Sequence, residues 1–290
     1  MDLELEGGTA DLVLTGIDDW WKLAALVIPD PDAPLPPVRV HAATAEPVWW
    51  TDGTYDVVAA IANSGDTDAE VTVEVAVPDG WTSEPVTATV PAGTEQDVAV
   101  PVTAGPEPAI ERLPLTVRAG GTELETGRLV EVVAAPDPAR AALALDAGPD
   151  AESVVPGYAA LTPESDWDAD RGYGWNGARP DARDRRNTDL LRRDLVVATT
   201  ERTLDLAIPA GPQRVWVLTG DPLTDSAITV VSEHGAELGR SGPATLPSRA
   251  MTWFSFDLDG GPEGRIASLA LTGSGLNKMW RIAALAVLPQ

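Results

Sequence analysis

Short apolar runs closed by glycine or proline constrain this chain more than any other feature. Val71-Thr72-Val73-Glu74-Val75-Ala76-Val77 alternates with period two and runs into Pro78-Asp79-Gly80, the pattern of a half-buried strand ending in a turn. Runs of the same kind occupy 56–61, 86–90, 97–102, 113–117 and 129–133. Their spacing of roughly ten residues predicts a β-sandwich. Gly and Pro number 26 each among 290 residues, which leaves little room for helix. Only 188–193 offers a helical turn, and the predicted fold class is all-β.

Proline also divides the chain. Pro29-Asp30-Pro31-Asp32-Ala33-Pro34-Leu35-Pro36-Pro37 cannot join a ladder and reads as an extended linker, and Ala134-Ala135-Pro136-Asp137-Pro138 as a shorter one. Between them lies a module at 38–135, and after them a second at 140–290. An internal repeat organises the rest. Leu3-Glu-Leu-Glu-Gly-Gly8, Ala10-Asp-Leu-Val-Leu-Thr-Gly16 and Trp21-Lys-Leu-Ala-Ala-Leu26 return in the same order near the end. There they read Phe256-Asp-Leu-Asp-Gly-Gly261, Ala267-Ser-Leu-Ala-Leu-Thr-Gly273 and Trp280-Arg-Ile-Ala-Ala-Leu285. Residues 1–30 are therefore expected to be the terminal strands of a preceding copy of the last domain, joined onward by the linker at 31–37.

Charge and composition exclude several classes. With 45 acidic against 20 basic residues the net charge is −25. No basic stripe is available to neutralise phosphates, which argues against nucleic acid and against an anionic membrane surface. The absence of cysteine excludes disulfides, thiolate catalysis and Cys-based metal sites. The two histidines, His41 and His234, are expected in surface loops, and neither adjoins a nucleophile signature. The opening Met1-Asp2-Leu3-Glu4 has no basic n-region, so no signal peptide is expected there. No apolar stretch approaches the roughly 20 residues of a membrane span.

The middle module carries Gly53-Thr-Tyr-Asp-Val-Val58, Ile61-Ala-Asn-Ser-Gly65, Val77-Pro-Asp-Gly-Trp81 and Val90-Pro-Ala-Gly-Thr94. It resembles the Ig-like NEW3 domain associated with carbohydrate-binding modules in α-galactosidases and other glycoside hydrolases, a β-sandwich that acts mainly as a spacer. The last module carries Leu143-Ala-Leu-Asp146-Ala-Gly148, Val154-Val-Pro-Gly-Tyr158, Arg171-Gly-Tyr-Gly-Trp175, Arg183-Asp-Arg185 and Leu190-Leu-Arg-Arg-Asp194. It continues through Leu204-Asp-Leu-Ala-Ile-Pro209, Arg214-Val-Trp-Val-Leu218 and Gly220-Asp221. It resembles the galactose-binding-like β-jelly roll that accompanies rhamnogalacturonan lyases and acetylesterases. It departs from that family at Leu143–Asp146, where the family opening is Phe-Asp-Phe-Gly, and at Arg214, where the strand lacks its usual Tyr.

Trp167, Tyr173 and Trp175 crowd a segment rich in Asp and Gly. Two readings stay open: an exposed aromatic platform for a sugar, or a plug of buried rings across the sandwich end. Arg185, Asp194 and Asp221, together with Asp184, either brace loops as Arg–carboxylate pairs or join that platform as carbohydrate-binding residues. A glycosidase pair made from Asp184 and Asp194 carries little weight where acids are this abundant. The jelly-roll resemblance implies a structural Ca²⁺, for which Asp257 and Asp259 are candidates. Glu4 and Glu6 hold the matching positions in the first repeat.

These readings predict a non-catalytic accessory region of a secreted polysaccharide-degrading enzyme, at the cell surface or beyond. Its expected partners are a glycan and a catalytic domain upstream in the same parent chain. A pectic polymer fits the resemblance, but like charges repel unless salt or Ca²⁺ intervenes, so neutral glycans stand equally. The alternative is a pair of bracing domains with no ligand of their own. Turnover by this chain alone would indicate an enzyme instead, and the lack of a His-based dyad counts against one.

Overall fold

A computed structural model describes residues 37–290, except Thr188 and the side chains of 125–127 and 276. The segment expected to form terminal jelly-roll strands, 1–30, lies outside the described residues, as does the linker up to residue 36. Within them the architecture is all-β, with single 3-10 turns at Leu190–Arg192 and Leu276–Lys278.

The first nine strands are β1 (Val38–Thr44), β2 (Val48–Trp50), β3 (Thr54–Asn63), β4 (Ala69–Val75), β5 (Thr82–Ser83), β6 (Val86–Val90), β7 (Thr94–Thr103), β8 (Ala109–Ala119) and β9 (Thr122–Ala135). They form two sheets, ordered β1-β3-β7-β5 and β2-β9-β8-β4-β6, the two layers of an Ig-like sandwich. The alternation seen in sequence sets their inner faces. Val57, Ala59 and Ile61 face Val98, Val100 and Val102 across β3 and β7, while Val71, Val73, Leu113, Leu115 and Val117 line the opposite layer. Trp49 is fully buried between Tyr55 and Trp81, with ring centroids 5.0 and 5.8 Å away. His41, expected in a loop, is exposed on strand β1 beside a bulge. His234 sits on an exposed hairpin turn with φ 50°.

The remaining strands are β10 (Leu143–Ala147), β11 (Ala159–Leu161), β12 (Tyr173–Asn176), β13 (Asp181–Asp184), β14 (Asp194–Ala198), β15 (Arg202–Ile208), β16 (Pro212–Gly220), β17 (Ile228–Glu233), β18 (Ala236–Arg240), β19 (Met251–Asp259), β20 (Arg265–Ser274), β21 (Trp280–Ile282) and β22 (Ala284–Pro289). Two five-stranded sheets, β11-β10-β22-β16-β19 and β12-β15-β20-β17-β18, enclose a core closed by the three-stranded sheet β13-β14-β21. This is a jelly-roll-like double sheet. The second copy of the repeat supplies central strands here. Ala267, Leu269 and Leu271 point inward from β20, and Trp280, Ala283, Ala284 and Leu285 are all buried. Gly273 is required where it stands, because a Cβ would lie 2.0 Å from the Lys278 carbonyl oxygen.

The short Pro136–Pro138 linker differs from its expectation. Asp137 caps a tight turn: its Oδ1 accepts the Ala139 N–H at 2.9 Å, and its carbonyl accepts the Arg140 N–H at 3.0 Å. An apolar cluster runs across the junction, from Val133, Ala135 and Trp50 on one side to Tyr158, Leu191, Leu195 and Val197 on the other. Trp50 and Tyr158 stack at 5.8 Å, and the Tyr158 hydroxyl donates to the Pro136 carbonyl at 2.9 Å. Burial of this surface removes the freedom that a bare proline linker would leave. Arg192 adds a clamp, bonding Glu131 at 2.6 Å and Asp189 at 2.8 Å.

Candidate functional site

The aromatic segment singled out in the sequence is a plug. Strand alternation puts Tyr173 and Trp175 on the same face of β12, and that face is the core: they are 5 % and 2 % exposed. Tyr173 donates its hydroxyl to the Ala160 carbonyl at 3.0 Å, and Trp175 donates Nε1–H to the Thr162 carbonyl at 2.9 Å. Between them the backbone of Asp166 and Trp167 lies so close that a Cβ on Gly174 would meet the Asp166 carbonyl oxygen at 2.3 Å. That loop bonds to the free edge of β12, with the Trp167 N–H on the Trp175 carbonyl at 3.0 Å and the Trp175 N–H on the Ser165 carbonyl at 2.7 Å, and the two buried rings offer no face to a sugar. Trp167 alone of the three is half-exposed.

The charged candidates separate into two groups. Arg185 and Asp221 meet at 2.6 Å, joined by Arg281 at 3.1 Å. Arg185 and Arg281 come from opposite edges of the β13-β14-β21 sheet and converge on a carboxylate with no solvent exposure. The other Asp221 oxygen accepts the Leu223 and Thr224 N–H groups. Burial works to lower the Arg281 pKa, and the Asp221 charge opposes it. This is an internal brace. Asp194 belongs elsewhere, as register partner of Asp184 and neighbour of Asp146. Burial raises it to about 6, and the Asp184 charge adds to the effect. Asp146 is raised by burial to about 7.

Asp257 and Asp259 stand exposed on the outer face of β19. Asp257 is held by Arg214 at 3.0 Å and by Gln290, and Asp259 accepts the Gly261 N–H at 2.8 Å. Calcium takes six to eight oxygens, and among the described residues no three His, Asp or Glu side chains gather to hold a metal. Two acids on one solvated strand face, one already paired with a guanidinium, do not make the expected cage.

Among the described residues, open clefts lie at the module junction, where the sequence reading placed no site. A cleft of about 510 Å³ is lined by Glu46, Pro47, Val48, Trp50, Tyr55, Val155, Pro156, Asp189 and Leu190. A second, of about 600 Å³, shares Glu46, Pro47 and Tyr55 and runs past Thr44, Asp56 and Val58. Both volumes fall in the range of ligand pockets, and aromatic walls with a few polar groups are typical of them. Local structure fixes the rings. A turn at 50–53 closes with the Gly53 N–H on the Trp50 carbonyl, and Asp52 takes φ 62° within it. Gly53 lies flat against Tyr55, 2.7 Å from the ring for a hypothetical Cβ. The Tyr55 hydroxyl in turn accepts the Trp50 N–H at 2.7 Å. Burial raises the Tyr55 pKa, and the charges of Asp137 and Glu46 push the same way. The available signal was the pair Trp49-Trp50 in an alternating strand, where one ring must point inward and its neighbour outward.

No family model matches the sequence, and no curated protein is similar to it. Solved structures align with it at low identity and low TM-score. A calcium-binding mutant of beta-glucuronidase 2 from Bacteroides uniformis aligns over 90% of this chain and 31% of its own, with 12% identity and a TM-score of 0.36. The chain thus spans about a third of that enzyme's length. The ANXUR2 extracellular domain from Arabidopsis thaliana aligns over 87% of this chain and 90% of its own, at 8% identity and a TM-score of 0.37. A protein of unknown function from Porphyromonas gingivalis W83 aligns over 88% and 84%, at 15% identity and a TM-score of 0.29. Among the described residues no helix is long and apolar enough to cross a membrane.

Proposed function

We propose that this chain is a non-catalytic, glycan-binding accessory region of a larger, secreted polysaccharide-degrading enzyme. The observation that carries the reading is the junction cleft, where Trp50 and Tyr55 are half-buried beside the exposed carboxylate of Glu46. Sugars present apolar C–H faces to aromatic rings and hydroxyl rims to acceptors, and this wall supplies both. The resemblance of the two modules to NEW3-type and galactose-binding-like domains points the same way. It supplies the expectation of an upstream catalytic partner, a location outside the cell and a supporting Ca²⁺, which Asp257 and Asp259 alone would not hold.

A second reading has its own observation. The apolar cluster across Val133, Trp50, Tyr158 and Leu195, with the Arg192–Glu131 clamp, locks the modules together, as a brace for a parent enzyme requires. Affinity gel electrophoresis against a panel of polysaccharides, with and without Ca²⁺, separates the two. Retardation that is lost in Trp50→Ala, with the unfolding temperature recorded alongside, supports binding. Unaltered mobility on every polymer supports the brace.

A further inference from the structure

The chemistry of the cleft walls narrows the ligand. Glu46 and Asp56 are the exposed charged residues that line the two adjoining clefts, and both are acids, while the third lining acid, Asp189, is buried with both oxygens bonded to Arg192. The nearby guanidiniums are already committed: Arg192 bonds both Asp189 and Glu131, and Arg140 bonds Asp52. Asp137 adds its charge to the field felt by the Tyr55 hydroxyl. A carboxylate entering here would meet like charge at short range with no fork of N–H donors to receive it, which is costly. Hydroxyl groups would find acceptors in Glu46 and Asp56, since carboxylates accept strong hydrogen bonds. The two clefts share Glu46, Pro47 and Tyr55, so one extended chain can lie through both with Tyr55 at the middle.

Resting on the glycan-binding reading, we infer that the site takes an internal stretch of an uncharged polysaccharide, spanning both clefts, and rejects uronate polymers. The polymer crosses from the 44–58 segment to the ring of Trp50 and the wall made by Val155, Pro156 and Leu190. Tyr55 and Trp50, already stacked on Trp49 and Tyr158, line the path with the part of each ring left exposed.

Isothermal titration calorimetry on the full chain provides the test. The probes are a neutral β-glucan, a neutral galactan and polygalacturonate, together with neutral oligosaccharides of increasing length, each at low and high NaCl. The inference expects binding of a neutral polymer that changes less than about twofold between the two salt levels, because no ion pair forms. It expects affinity that rises with oligosaccharide length until both clefts are filled. It also expects Glu46→Gln, an exposed and fold-neutral change, to weaken that binding by roughly tenfold through loss of a charged acceptor. Binding of polygalacturonate that is weakened by Trp50→Ala would overturn the inference while leaving the glycan-binding reading intact. Full affinity for a single sugar unit would also overturn it. Failure of every polymer to bind would overturn the reading beneath it as well.

Discussion

Asp146 offers a quantitative test of the jelly-roll interior. It sits on β10 at 3 % exposure, with Oδ2 accepting the Val155 N–H at 2.8 Å. Burial raises its pKa from the ordinary 3.8 to about 7, and the charges of Asp194 and Asp189 add to that against the Val155 hydrogen bond. A carboxyl with a higher pKa in the folded than in the unfolded chain binds its proton more tightly when folded. Its contribution to stability is complete below about pH 4 and is lost as the pH climbs to about 7, after which it is flat. The shift corresponds to about 4 kcal/mol over that window. Asp146→Asn keeps the size and an acceptor for the Val155 N–H but cannot ionise. It should match the parent near pH 4 and exceed its stability at pH 8 by up to about 4 kcal/mol. Urea unfolding followed by tryptophan fluorescence, at intervals from pH 4 to pH 8, measures both curves. Parallel curves, or a variant less stable at pH 8, would refute the reasoning.

Other expectations follow from single contacts. Asp221→Asn leaves the buried Arg281 and the partly buried Arg185 without their counter-charge and should cost about 3–5 kcal/mol, read as a large drop in thermal midpoint by calorimetry. Gly273→Ala places a methyl 2.0 Å from the Lys278 carbonyl oxygen and should destabilise by a few kcal/mol, whereas Gly235→Ala, with open space around it, serves as a strained-turn control with a smaller loss. Glu131→Gln weakens the clamp to Arg192, whose partner carboxylate is 37% exposed. It should cost no more than about 1 kcal/mol but increase proteolytic cleavage near 136–142 if the clamp helps hold the modules together.

The strands were legible because alternation is a local signal. The runs at 97–102 and 113–117 fall in β7 and β8, the run at 71–77 overshoots the end of β4 by two residues, and one-sided burial follows from their period. The fate of Tyr173 and Trp175 was not legible. Alternation puts them on one face but does not say which, and packing against Leu204, Leu206 and Trp280, distant in sequence, decides it. Arg281 escaped notice because it lies inside the apolar repeat Trp280-Arg-Ile-Ala-Ala-Leu285, where nothing local shows that it reaches Asp221 across sixty residues of chain. The cleft was hidden for a similar reason. Its walls come from 46–55, 155–156 and 189–190, on both sides of a linker that reads as extended and folds instead into a turn capped by Asp137.

Hydrogen–deuterium exchange footprinting tests the central claim most directly, comparing the chain alone with the chain saturated by a neutral polysaccharide that retards it in a gel. Added protection at 44–58, 155–156 and 189–190, with none around 167–175 or 257–259, is the predicted result. Protection confined to the Trp167 loop or the Asp257 face, or none anywhere in the chain, would contradict it.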